Sequence, residues 1–209
     1  MSNQDEYVCI EDFKDDFYNL FRKYNGNEIV NRGSASSKLI HQDSILFIGL
    51  NPSFTKGATN GSFFYNSTQA KAAYFKKFNE IAKEVGLPWS HLDLLTVRET
   101  KQKKVEKLPP EFINAHLKIS KGILERSKPK VIVVENSLAR TYFGKGNING
   151  NGMYSFEFDD SIGTDRIISD SNLKNLPVFF TSMLTGQRAL DLGSLERLKW
   201  HIKQVVNQR

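Results

Sequence analysis

The sequence predicts an α/β protein: a three-layer α/β/α domain built on a central four-stranded parallel sheet. Three observations carry this. Short, mostly apolar runs rich in β-branched and aromatic residues recur along the chain, at Ser44–Leu50, Leu92–Val97, Lys130–Val134 and Val178–Phe180. Amphipathic segments of helical period separate them, and strand–helix alternation of this kind builds a parallel sheet covered on both faces. At 209 residues the chain has the length of one domain, which buries roughly 70% of its unfolded surface and needs no covalent staple.

The elements follow in order. Phe13, Phe17, Leu20, Phe21 and Tyr24 lie on one face of a helix over Glu11–Tyr24, within an N-terminal helical region spanning residues 1–43. Asn25–Gln42 is polar and reads as loop. The first strand, Ser44–Leu50, stops at Asn51-Pro52-Ser53, and a loop rich in Gly, Ser and Thr continues to Asn66. A helix over Ser67–Val85 ends at Gly86 and Pro88. After the Leu92–Val97 strand, Pro109-Pro110 opens a helix through Arg126. The third strand precedes a short helix over Ser137–Phe143, ended by Gly144. Residues 145–172 break the pattern and read as a small hairpin insertion, with Tyr154, Phe156 and Phe158 alternating. The fourth strand leads to a terminal helix marked by Leu195, Leu198, Ile202 and Val205.

Composition narrows the function classes. The lone Cys9 forms no internal disulfide, and no Cys/His cluster has metal-ligand spacing, so neither metal nor cofactor is expected. No apolar run approaches the ~18 residues of a membrane span, and no signal-like N-terminus is present, so the expectation is a cytoplasmic protein and, by default, a monomer. The net charge of +6 suits an anionic partner, and Arg98, Lys101, Lys103, Lys104 and Lys107 form its densest cluster. A solvated helix face and charged loop explain the same residues equally well. Phosphate-cradling Gly-rich motifs and nucleophile elbows are absent, and His91 reads as structural.

Ligands on parallel sheets bind beyond the C-terminal strand ends, which selects the loops at Asn51–Asn66, Arg98–Lys107, Glu135-Asn136 and Thr181–Asp191. Gly49-Leu50-Asn51-Pro52-Ser53 is the most informative of these. Gly49 admits a close neighbour, and Pro52 fixes the turn that aims the Asn51 carboxamide.

This segment resembles the first motif, G-[IM]-N-P-G, of the mismatch-specific and single-strand-selective uracil-DNA glycosylases. Ser127–Val134 with Asn136 and Ala139 is similar to the family's PKVIVALG..A stretch, Leu94–Arg98 to the strand before its basic loop, and Thr181–Thr185 to its second motif, H-P-S-P-L-S. The resemblance implies a uracil-DNA glycosylase-like fold, with Gly49–Ser53 and Thr181–Thr185 meeting at one sheet edge. It also implies cofactor-free hydrolysis of the N-glycosidic bond of uracil or another damaged base in DNA. Asn51 would position water, and Ser182 would complete the catalytic pair. Gly49, Leu50, Phe63 or Phe64, and Asp93 would hold the flipped base. Ser53, Arg98, Lys101, Lys103, Lys104, Thr185 and Arg188 would contact DNA, and Leu184 would wedge into the duplex. The second motif departs from the family: Phe180 stands where its His stabilises the leaving base. Two alternatives therefore accompany the glycosylase reading, a non-catalytic nucleic-acid-binding domain and an enzyme acting on a small nucleotide.

Overall fold

The computed structural model describes residues 6–146, 152–186 and 189–208. The chain opens with strand β1 (Tyr7–Cys9), a 3-10 turn and helix α1 (Lys14–Lys23), then strands β2 (Ala35–Ser37) and β3 (Leu39–His41). Strand β4 (Ile45–Gly49), strand β5 (Phe63–Tyr65), helix α2 (Lys76–Val85) and strand β6 (Trp89–Asp93) follow. Next come α3 (Gln102–Val105), α4 (Pro110–Arg126), β7 (Val131–Glu135) and α5 (Ser137–Phe143). A hairpin of β8 (Phe156–Asp159) and β9 (Thr164–Ile167), then β10 (Pro177–Thr181) and α6 (Leu192–Asn207), complete the chain.

The central sheet is mixed and six-stranded, in the order β6-β4-β7-β10-β9-β8. Strands β6, β4, β7 and β10 run parallel, while β9 and β8 pair antiparallel at one edge. This corrects the expected four-stranded sheet. The hairpin is not an appendage: β9 pairs with β10 and extends the sheet, because β10 otherwise presents an open edge.

Alternation along the strands divides the core. Ile45, Phe47, Val131, Val133 and Phe179 pack under α2 and α6, while Leu46, Ile48, Ile132, Val134 and Val178 join the core beneath α1, α4 and α5. Helix α2 closes with Gly86 at φ +80°, a left-handed cap that suits glycine.

Three local expectations change. The second strand is Trp89–Asp93 rather than Leu92–Val97, in register from Ile45↔Trp89 to Gly49↔Asp93. Its polar Ser90 disguises it, yet that hydroxyl is used, accepting from the His41 backbone N–H at 2.8 Å. Residues 25–42 hold β2 and β3 instead of loop alone, and β2 pairs in parallel with β5 inside the expected 51–66 loop. The helix expected from Ser67 begins only at Lys76, after a 3-10 turn over Ala73–Phe75. Among the described residues no helix is long and apolar enough to cross a membrane.

Candidate functional site

Strand order reverses between β4 and β7, since β6 lies on one side of β4 and β7 on the other. A cavity of about 370 Å³ opens at the C-terminal ends of these strands, within the size range of small-ligand sites. Its floor comes from strand-end positions on one face. Ile45, Phe47 and Gly49 share that face on β4, as do Trp89, His91 and Asp93 on β6 and Val131, Val133 and Glu135 on β7. The apolar rows bury against α2, and the last residue of each row reaches the cavity.

Gly49 makes room for this floor. A Cβ there would stand 2.3 Å from Asp93 Oδ1, 3.1 Å from His91 Nε2 and 3.3 Å from the Tyr74 hydroxyl. The requirement for glycine is thus a close approach of side chains rather than backbone conformation. Beyond Gly49 the chain is tied to the segment after β6: Leu94 N donates to Gly49 O at 3.1 Å, Leu95 N to Leu50 O at 2.9 Å and Glu99 N to Pro52 O at 3.0 Å. The Asn51 side chain reinforces this seam. Its Nδ2 donates to Glu99 O at 2.7 Å, with Pro52 O at 3.0 Å and Val97 O at 3.2 Å. The carboxamide is therefore locked, and its oxygen is left for a ligand or water.

The aromatic wall follows from strand alternation on β5. Phe63 and Tyr65 face the cavity, whereas Phe64 points to the opposite side and lines a separate groove with Phe17, Tyr18 and Phe21 of α1. Phe63 is 48% exposed, an open ring face at the cavity rim. Arg98 packs over it: its guanidinium lies 5.1 Å from the centre of the Phe63 ring and 5.0 Å from that of Phe54. Arg98 Nη1 also donates to Thr59 O at 2.9 Å and Gly61 O at 3.1 Å, stapling the loop between β4 and β5.

Electrostatically the floor is unusual. Tyr74 donates its hydroxyl to Glu135 Oε1 and lies 3.3 Å from His91 Nε2, and Leu184 N donates to Glu135 Oε2 at 3.3 Å. Burial pushes the Glu135 carboxyl up to about 7, against the opposing pull of the Tyr74 and Leu184 donors. Burial, with the nearby Glu135 charge, raises Asp93 well above the carboxylate range, and burial lowers His91 to about 3. Tyr74 is raised by burial and by Glu135, and Tyr65 by burial and by Asp93. The floor therefore gathers an imidazole and two phenols that burial keeps neutral, an Asp93 whose protonated form burial and Glu135 favour, and a Glu135 raised to about 7. Such a cluster of shifted groups in a cleft makes this cavity the candidate functional site.

The structure brings together Gly49, Leu50, Asn51, Ser53, Phe63, Asp93 and Arg98 around one cavity. Several other expected positions behave differently. Leu184 is buried, packed with the α2–α6 core, so it is no exposed wedge. Arg98 is buried and spent on loop carbonyls rather than offered to phosphate. Ser182 is exposed and Thr185 half-buried, and neither lines the cavity; Met183 does. Phe180 faces the other side of the sheet, with its ring against Phe156 at 5.1 Å and Arg140 at 5.8 Å. Lys101, Lys103 and Lys104 are exposed, and the first two border a groove with Ser137 and Thr141 that adjoins the cavity at Gln102. Arg188 lies outside the described residues.

Four further residues line the cavity without a role assigned from the sequence: Tyr74, His91, which reads there as structural, and Tyr65 and Glu135, which lie in selected loops but are given no part. A charged residue closing an otherwise apolar strand, as in Val131–Glu135, is the signal that exposes the last of them. Among the described residues no group of three or more His, Cys, Asp or Glu side chains is placed to hold a metal ion. No protein-family model, curated protein or solved structure matches this chain.

Proposed function

We propose that the cavity binds a nucleobase and that the protein hydrolyses the N-glycosidic bond of uracil or another deaminated base in DNA, as its motifs' resemblance to the uracil-DNA glycosylases implies. The observation that carries the reading is the joint placement of Asn51, Phe63 and Asp93 around one base-sized cavity at the strand-order reversal. Phe63 supplies a flat apolar face for stacking. A protonated Asp93 offers one O–H donor and one carbonyl acceptor, complementary to the N3–H and O4 edge of uracil. The free oxygen of Asn51 accepts from the attacking water and orients it, while the locked nitrogen holds that oxygen still. The groove beside Gln102, bordered by Lys101 and Lys103 against one acid, Glu106, gives the flanking backbone a net-cationic path.

A second reading, hydrolysis of a free nucleoside, is favoured by the burial of Arg98 and Leu184, two residues expected at the duplex. One experiment separates the two. Labelled oligonucleotides carrying uracil, hypoxanthine or xanthine are incubated with the protein and treated with alkali, beside reactions on 2′-deoxyuridine and 2′-deoxyinosine. Strand scission supports the DNA reading, base release from nucleosides alone supports the second, and no release from any substrate sinks both.

A further inference from the structure

Breaking a glycosidic bond leaves electrons on the departing base, and a proton on that base lowers the barrier. The second-motif position expected to serve this task, Phe180, faces away from the cavity. Glu135 faces into it at the end of β7, 2% exposed, with one oxygen held by Tyr74 and the other by the Leu184 N–H. The titratable groups around it are Tyr74 ahead of α2, His91 and Asp93 from β6, and Tyr65 from β5. None of these four carries a positive charge when His91 is neutral, so they do not lock Glu135 as a carboxylate.

We propose that Glu135 is the general acid of this site, delivering a proton to the departing base, with Tyr74 as its positioning residue. The inference rests on the hydrolytic reading above. As the C1′–N bond breaks, its electron pair goes to the base and the Glu135 proton goes to a ring nitrogen or oxygen of that base. Water held by Asn51 forms the new C1′–O bond and gives up a proton to the Glu135 carboxylate, which restores the acid. The products are the free base and a hydroxyl on C1′. Tyr74 serves both states of Glu135. It donates to the carboxylate, and it turns its hydroxyl toward His91 Nε2, 3.3 Å away, when Glu135 itself becomes the donor. The protonation midpoint near 7 keeps both forms populated around neutrality.

The test is the pH profile of single-turnover base release for the wild type, Glu135→Gln and Tyr74→Phe, with folding checked by circular dichroism. Wild-type release should decline as pH rises through the Glu135 midpoint. Glu135→Gln should lose that decline and fall about 100-fold at about pH 6. Its deficit should shrink to about 10-fold or less with 5-fluorouracil, whose ring nitrogen leaves more readily. Tyr74→Phe should retain release but move the decline to higher pH, because the phenol favours the ionised carboxyl. A Glu135→Gln profile that keeps the wild-type decline overturns the inference and leaves the hydrolytic reading standing. If the wild type releases no base at all, the hydrolytic reading fails and the general-acid inference, which rests on it, fails with it.

Discussion

Two buried histidines, one on each side of the sheet, behave as chemical opposites. His116 on α4 sits among Phe17, Phe21 and Phe112, and its Nε2 accepts from Thr96 N at 3.0 Å. His91 on β6 sits against Phe75 and Phe78, but its Nε2 meets the Tyr74 hydroxyl and, at 3.7 Å, Asp93. Burial lowers both, to about 4 and about 3. The first ends at Thr96, whose backbone N–H and hydroxyl both meet its Nε2, away from the cavity. The second belongs to a chain of titratable groups that ends at a cavity. Burial alone therefore does not separate a structural histidine from a site histidine; the partner does.

The largest expected effect tests whether the cavity floor is held at a cost to stability. Glu135 keeps its proton to about 7 in the folded state against 4.5 in the reference state. The folded protein thus binds more protons between those limits, and stability falls as pH rises through that window. Glu135→Gln removes this loss, so its unfolding free energy should exceed that of the wild type by up to about 3 kcal/mol at about pH 8, and by little at about pH 4. Urea denaturation at the two pH values measures it. An advantage equal at both would mean that Glu135 is not held protonated.

On the other side of the sheet, His116→Leu should cost about 1–3 kcal/mol by leaving Thr96 N without its acceptor. Base release by the folded fraction should stay within about twofold of wild type, since about 0.4 kcal/mol is the largest change an uncoupled site would show. A large loss of release would join the two regions and make His116 part of the site.

Asn51 sharpens the cavity side. On the proposed hydrolytic function, Asn51→Ala removes the oxygen assigned to orient water together with the bonds to Val97 O and Glu99 O, and base release should fall at least about 10-fold, or ~1.4 kcal/mol. Asn51→Asp keeps the oxygen but faces those carbonyls with a second acceptor. It should therefore also lose activity, along with thermal stability, as single-turnover release and a thermal melt would show.

The same contrast explains what is legible in the sequence. The parallel strands are visible because β4, β7 and β10 are apolar over most of their length, and Gly49 and Asn51 are found because strand ends are where such sheets bind ligands, whereas Asp93 falls inside the expected Leu92–Val97 strand and is named only through the family resemblance. The start of β6 is hidden by Ser90 and His91, whose polarity is satisfied only by residues distant in sequence, His41 and Tyr74. Phe63 and Phe64 are indistinguishable until β5 pairs with β2 and gives them opposite faces. Local charge points Arg98, and the family resemblance Leu184, at DNA, yet their partners are the loop carbonyls and the α2–α6 core, which only the folded chain reveals. The hairpin is recognisable as a hairpin, but its union with β10 is a long-range pairing that local pattern does not encode.

The smallest expected effect concerns the lysines, and it asks whether the cavity's surroundings belong to the site. Lys101, Lys103 and Lys104 are exposed around α3, outside the hydrogen-bonded cluster of the cavity floor. If DNA is the ligand, each would act by displacing counterions, so replacing all three by Gln should lower the slope of log K against log salt by roughly 0.7–0.9 for every phosphate they neutralise. Cleavage of DNA already bound should change little, because screening over about 8–10 Å at moderate salt isolates an exposed charge from a buried floor. Arg98→Gln should do the reverse, leaving the salt slope in place while loosening the Thr59 and Gly61 carbonyls and the ring of Phe63. Fluorescence anisotropy across a salt series, run beside single-turnover base release, distinguishes the two variants. A slope unchanged in the triple variant would make this cluster an ordinary solvated face and favour a free nucleoside over DNA as the ligand of the cavity.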